Sequence, residues 1–193
     1  DWFRSSGLKL DERGYVTVDG YGRTNLDGVW ALGDITPGHA LAHRAFEQGI
    51  TIAEKIAGAD PKPVIDDTVP QVVFSFPEAA SVGLTLDQAK AREDVVEPKA
   101  YPMLSNARML MSGEGGSMTV VSGAFANNPD MQVVLGVHIV SPIASDLIAE
   151  AEQLVGNRVP LADAARLIHP HPTFSETLGE ALLKADGRPL HTR

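Results

Sequence analysis

GSMTVVSGAF at residues 116–125 and MQVVLGVHIV at residues 131–140 decide the fold of this chain. Both runs are rich in Val, Ile, Thr and Phe, whose branched or aromatic side chains suit a pleated surface. Between them, Asn127-Asn128-Pro129-Asp130 is a cluster of turn formers. Two β runs joined by a short turn predict an antiparallel hairpin. The period then changes. Ser141-Pro142 has the composition of a helix N-cap and first-turn proline. Ile143, Leu147, Ile148, Ala151, Leu154 and Val155 recur at helical spacings and form one apolar stripe. Gly156-Asn157 stops that helix. Strands followed by helices predict an α+β domain.

Outward from this centre, Pro160 opens a shorter helix carrying Leu161, Ala164, Ala165 and Ile168. His169-Pro170-His171-Pro172 breaks the chain, and Thr173–Ala185 is a final predicted helix. On the amino-terminal side, Gln71–Phe76 reads as a strand and Thr85–Arg92 as a short helix. GADPKPVIDD at residues 58–67 is a linker in which proline and acid cluster, with the domain boundary near Asp66. Before it, Val29-Trp30-Ala31-Leu32 lies between Gly28 and Gly33 and suits a short buried strand. Ala42, Phe46, Gly49, Ile50, Ala53, Ile56 and Ala57 then mark an amphipathic helix, ended by Gly58, Pro61 and Pro63. Tyr15-Val16-Thr17-Val18 is a brief β alternation closed by the turn pair Asp19-Gly20.

Composition narrows the function. Against 16 Lys and Arg stand 25 Asp and Glu, a net charge of −9 over 193 residues. That sign argues against a nucleic-acid binder, which needs a basic face. With 44% hydrophobic and 21% charged residues, the composition is that of a globular protein. No apolar run reaches the ~18 residues that span a membrane. No charged-then-apolar leader is visible, and Asp1 at the start suggests a piece of a longer protein. Zero cysteines exclude disulfides, thiolate metal sites and cysteine nucleophiles within the chain.

Three places could carry chemistry. Gly33-Asp34 follows the predicted Val29–Leu32 strand and precedes a helix, the layout of a ligand site in α/β sheets. Glycine admits close approach, and the aspartate can accept hydrogen bonds from sugar-like hydroxyls. The alternative is a plain turn in which Asp34 bonds local backbone. The helix start near Leu41-Ala42-His43 offers unpaired N–H groups and a dipole that favour negative charge, or simply faces water. HPHPTFSE at residues 169–176 sets His171 between two prolines and before a helix with Glu176 in its first turn. A carboxylate on one ring nitrogen would leave the other as a general base. Against this, Thr173-Phe174-Ser175-Glu176 also fits a capping box, and the two roles coexist only if the carboxylate divides its oxygens. His169 and His171 lack a third ligand of suitable spacing, so no metal site is expected. SGEGGS at residues 112–117 reads as a turn, His138 as a satisfied core or interface residue, and Met103, Met109 and Met111 as packing or interface residues.

These pieces, in this order, resemble the carboxyl-terminal part of the class I flavin-dependent pyridine nucleotide–disulfide oxidoreductases. RTNLDGVWALGD resembles the second flavin-binding motif of the family, and LAHRAFEQG the helix after it. VVFSFPEAASVGLT resembles the start of the interface domain, LGVHIVSPIASDLIAEA its hairpin strand and helix, and HPHPTFSE the active-site signature. Within the family, LAHRAFEQGI and ARLIHPHPTFSETLGEALL look most like dihydrolipoyl dehydrogenase, with mycothione, glutathione and mercuric reductases as other members of similar architecture.

The resemblance implies an antiparallel-sheet interface domain with flanking helices at residues 66–193. Residues 1–65 would be the terminal strand and helix of an α/β FAD-binding domain. It implies that Gly33 and Asp34 approach the ribitol chain of FAD, with Ala42 and His43 at the flavin's pyrimidine edge. His171 would be the acid–base residue and Glu176 its orienting carboxylate, acting across a homodimer interface. The implied reaction passes electrons from dihydrolipoamide through a protein disulfide and FAD to NAD+, in a cytoplasmic enzyme serving 2-oxo acid dehydrogenase complexes. The redox disulfide and the G-x-G-x-x-G dinucleotide fingerprint are not in these residues. The chain by itself is therefore expected to be inactive and to bind FAD weakly or not at all. A self-associating module without chemistry is the other reading, its isologous face made by the apolar hairpin and the Ile143–Val155 stripe.

Overall fold

The computed structural model describes residues 5–104 and 106–191, and at Met103 the backbone alone. The chain divides into two compact units, Asp1–Asp66 and Asp67–Arg193.

The first unit is mostly loop around one helix, α1 (Ala42–Ile56), with Gly33–Ile35 forming a single 3-10 turn ahead of it. Tyr15–Val18 is not a strand; Val16 makes one isolated bridge with Leu10. The run at Val29–Leu32 differs from expectation in the same way. Trp30 makes a single bridge with Arg23, and Val29 and Leu32 are exposed. The alternation signal was real, but among the described residues no neighbouring strand extends the pairing, and a ladder needs two sides. Val16, Ala31 and Ile52 are the buried apolar residues here, joined by Thr36, Arg44 and Thr51. Arg44 is buried against Asp66, its Nε 2.6 Å from Oδ1, and its Nη2 donates to the Pro37 carbonyl at 2.7 Å.

The second unit is built on a five-stranded antiparallel sheet. Its strands are β1 (Gln71–Val73), β2 (Glu78–Gly83), β3 (Val95–Met103), β4 (Ser117–Phe125) and β5 (Asn128–Ser141), in the order β1-β2-β5-β4-β3. β4 and β5 are the predicted hairpin. The turn is Ala126-Asn127, and Pro129 and Asp130 belong to β5. Pro129 is tolerated so close to the hairpin end because few ladder bonds are at stake there.

The β5 pleat changes phase. Val121 pairs with Gly136 but Ser122 pairs with Val134, so Leu135 is an extra residue at a bulge. Val134, Val137 and Ile139 therefore join one core, while Val133 and Leu135 join another on the opposite face. The bulge explains why five successive residues, Val133 to Val137, are all buried. At its centre Gly136 lets the Leu84 carbonyl approach to where a Cβ would stand at 2.2 Å.

Among the described residues the unit has five helices: α2 (Leu86–Ala91), α3 (Ala107–Ser112), α4 (Ala144–Gly156), α5 (Leu161–Ala164) and α6 (Glu176–Ala185). α4 packs on β2 and β5, and α6 on β3 and β4, forming the larger core. α2 covers the other face through Ala89 against Val95, Val121 and Leu135. Thr85 caps α2 in a full capping box with Gln88. α4 begins later than expected: Ser141 ends β5, Ile143 is the N-cap residue, and Glu78 Oε2 accepts from the Ser145 N–H at 2.8 Å. That bond holds the Glu78 carboxyl below the usual carboxylate range.

The expected dimer face is corrected by this packing. Val120, Val137, Ile148, Ala151 and Leu154 face one another in the core of the same unit. Those residues of the hairpin and the α4 stripe cover one another, while Ile143 and Leu147 are half-buried. The exposed apolar residues of this unit include Val140 near the end of β5 and, outside the hairpin, Phe74, Phe76, Leu104, Leu110, Met111 and Ile168. β2, β3 and α3 had no sequence expectation.

Candidate active site

HPHPTFSE forms the corner between α5 and α6. The final helix begins at Glu176, not Thr173. Thr173 is no N-cap: its hydroxyl donates to the Pro170 carbonyl at 2.7 Å and pairs with the Ser175 hydroxyl at 2.9 Å. The corner is thus closed by its own side chains before the helix starts. The His171-Pro172 peptide is cis.

Within the corner, Glu176 divides its oxygens. Oε2 accepts from the Thr173 N–H at 2.7 Å, and Oε1 lies 2.8 Å from Nδ1 of His171. Only the Glu176 half of the expected capping box forms, and it coexists with the His171 contact, one oxygen each. The Thr173 N–H is the main cause that holds the Glu176 carboxyl below its ordinary value, against the opposing effect of burial, with His171 adding to it. An ionised carboxylate only accepts, so the bond fixes the proton on Nδ1 of His171. In the neutral ring Nε2 then carries the lone pair, and it makes no hydrogen bond to the described residues. The His171 side chain is 69% exposed while Glu176 is only 20% exposed. An exposed imidazole thus rests on a more buried carboxylate.

Sequence reasoning missed the groups around this pair. Asn106, the N-cap of α3, uses its Oδ1 to accept from the Met109 N–H at 3.0 Å. Its Nδ2 donates to the Thr173 carbonyl and the Thr177 hydroxyl, both at 2.8 Å. Arg108 sets its guanidinium 5.8 Å from the centre of the Phe174 ring. The signal for Asn106 was a helix N-cap asparagine in a stretch with no apolar periodicity strong enough to announce the helix. His169 meets Glu150 of α4 at 2.8 Å through Nε2. Glu150 is the main cause that raises His169 above the ordinary histidine value, and burial opposes it. His138 has a structural role, its Nε2 lying 3.1 Å from the Leu84 carbonyl. Met109 is buried and Met111 exposed, while the Met103 side chain lies outside the described residues.

The other expected residues lie in the first unit. Gly33 is buried with a positive φ of 70°, a conformation that disfavours a side chain, and its N–H donates to Gln48 Oε1 at 2.8 Å. Asp34 beside it is exposed, as are Ala42 and His43 at the start of α1. The N-cap residue of α1, Leu41, gives the helix start no side-chain hydrogen bond. An exposed carboxylate, a glycine held in place and an uncapped helix end suit hydroxyls and developing negative charge respectively. The structure brings Gly33, Asp34, Ala42 and His43 together in one unit, and His171 and Glu176 together in the other.

Comparison with known families identifies the domain that this antiparallel sheet and its helices form. The pyridine nucleotide-disulphide oxidoreductase dimerisation domain matches residues 69–182, and the pyridine nucleotide-disulphide oxidoreductase model matches residues 1–49. The chain belongs to the pyridine nucleotide–disulphide oxidoreductase family, and it corresponds to the carboxyl-terminal part of class I members. Among individual proteins, it is 41% identical over 187 residues to dihydrolipoyl dehydrogenase of Cupriavidus necator, a match covering 96% of this chain and 38% of that protein. It is 38% identical over 183 residues to dihydrolipoyl dehydrogenase of Bacillus subtilis, covering 94% of this chain and 38% of that one. Its fold matches the crystal structure of LpdA from Mycobacterium tuberculosis with a TM-score of 0.82 and 30% identity, over 93% of this chain and 38% of that one. The chain thus spans well under half the length of these relatives.

Proposed function

We propose that these residues supply the dimer interface and the acid–base pair of a dihydrolipoyl dehydrogenase, which oxidises dihydrolipoamide with NAD+. The observation that carries this reading is the His171–Glu176 contact of 2.8 Å on an exposed, carboxylate-oriented imidazole. The names of the relatives support it.

In this reading Nε2 of His171 takes the proton from a substrate thiol, since the thiolate is the effective nucleophile. Glu176 holds the tautomer and stabilises the imidazolium that forms, as the orienting acid of such pairs does. Asn106 holds the Thr173 carbonyl and so keeps the Thr173 N–H aimed at Glu176. Gly33 and Asp34 would receive the ribitol hydroxyls of FAD, and the start of α1 at Ala42 and His43 would face its pyrimidine edge, where reduction builds negative charge. When bound, the flavin supplies a two-electron carrier between thiols and pyridine nucleotide. The chain holds no cysteine and no G-x-G-x-x-G run, so no role toward the disulfide or NAD is derived for its residues. By itself the 193-residue chain is expected to be inactive. We place the longer protein in the cytoplasm as a homodimer working with 2-oxo acid dehydrogenase components.

The test is steady-state NAD+ reduction by dihydrolipoamide in the longer protein. His171→Gln should reduce the rate by ~10²-fold or more, the usual worth of a positioned general base. Glu176→Gln should reduce it less, because the amide oxygen still accepts one hydrogen bond. Wild-type turnover by the His171 variant would sink the assignment.

A further inference from the structure

The His171 corner is flanked by a second histidine–carboxylate pair, His169 and Glu150, which the proposed chemistry does not use. We infer that His169, locked between α4 and α6, is a positioning residue that sets the place of the His171 imidazole for proton transfer. This rests on the reading of His171 as the acid–base group.

Three features of His169 carry the inference. First, its side chain is 9% exposed, whereas His171, two residues on, is 69% exposed. The corner has one inward and one outward imidazole, and the inward one is the anchor. Second, Nε2 of His169 lies 2.8 Å from Oε1 of Glu150, which ties the corner to α4 across nineteen positions of sequence. A buried ring nitrogen needs such a partner, because leaving it unpaired costs free energy.

Third, the other ring nitrogen lies against Gly179 of α6. A Cβ on Gly179 would stand 2.6 Å from Nδ1 of His169. Glycine inside a helix costs about 1 kcal/mol relative to alanine. α6 carries that cost at the one place where the imidazole needs the room. His169 is therefore gripped on both ring edges, by α4 through a hydrogen bond and by α6 through close packing.

Only Pro170 separates His169 from His171, and the two α-carbons are within ~7 Å along the chain. The proline fixes its own φ and restricts the residue before it. Motion of His169 therefore passes to His171 with little slack. On the far side, Asn106 pins the Thr173 carbonyl at 2.8 Å. With both ends held, His171 stands at a fixed height over Glu176. A purely structural anchor would stabilise the corner without affecting turnover, and the distinction is measurable.

The experiment uses the longer protein and steady-state kinetics with dihydrolipoamide and NAD+. His169→Ala should lower kcat by roughly 10-fold or more, the scale expected when a catalytic group is misplaced, with KM for the thiol within about twofold. His169→Gln carries an amide nitrogen near the place of Nε2 and should recover most of that loss. Gly179→Ala, which pushes the ring without removing it, should lower kcat in the same direction. If His169→Ala keeps wild-type kcat while His171→Gln is inactive, the positioning role is overturned and the acid–base reading stands. Equal losses in His169→Ala and His169→Gln, with melting temperature falling in step, would also overturn it. Wild-type kcat in His171→Gln overturns both readings together.

Discussion

Glu176 shows how one side chain can hold two jobs. Each oxygen has its own donor, Thr173 N–H at 2.7 Å and His171 Nδ1 at 2.8 Å. Its carboxyl is therefore held low, and its contribution to stability is present above the ordinary carboxylate value and lost as pH falls through the lowered one. His169 behaves with the opposite sign. Glu150 and, more weakly, the Leu167 backbone and Glu176 raise it, while burial lowers it. Its contribution is present in full below the ordinary histidine value of ~6.5 and is lost as pH rises through the raised one. Urea unfolding of Glu150→Gln against wild type should therefore show its largest difference near pH ~5.5, shrinking as pH rises. A difference that stays constant or grows with pH would contradict the ion pair. The site pair was legible in the sequence because its members lie five residues apart. Glu150 and Asn106 were not, because each meets the corner from more than fifteen residues away.

At the scale of elements, caps decide where helices start. Thr85 and Gln88 close a reciprocal capping box on α2, and Thr85→Ala should cost about 1 kcal/mol in urea unfolding of the second unit. No measurable change would mean that burial of Ala89 alone holds the helix. Asn106 caps α3 and also donates to the Thr173 carbonyl. Asn106→Ala should destabilise by more than Thr85→Ala, since buried partners lose their donor as well. Equal costs would show that its bonds to the corner add nothing. The hairpin, α1, α2, α4 and α5 could be anticipated from periodicity. Their ends shifted by one to four residues where tertiary bonds outcompeted local signals. Ser141 was drawn into β5, and Thr173 was recruited to the corner. β3 escaped notice because Pro98 and Pro102 interrupt its pattern, and it is an edge strand, where proline is tolerated.

Across the whole molecule, apolar burial is uneven. The second unit holds two cores, whereas the first buries only Val16, Ala31 and Ile52 among its described apolar residues. Hydrogen exchange of the chain should be slowest in β4 and β5 and much faster throughout α1. Comparable protection in both units would show that the first has stability its small core does not explain. The exposed Leu110 and Met111 lie on α3, next to the corner through Asn106. In the homodimer reading these residues lie at the interface. Leu110→Glu with Met111→Glu in the longer protein should then shift sedimentation from dimer to monomer. An unchanged dimer would place the interface elsewhere.

The sequence by itself determined the hairpin, the helical stripes and the absence of cysteine, and it offered the His171–Glu176 pair. Each is a local matter: side-chain period, turn chemistry, composition, or two groups five residues apart. Only the tertiary structure decided that Val120 and Val137 of the hairpin pack on Ile148, Ala151 and Leu154 of α4. It also placed the Leu135 bulge and set His169 and Asn106 beside the site. Those outcomes depend on which apolar faces meet and which distant donors find acceptors, and such pairings are fixed when the sheet and helices pack together.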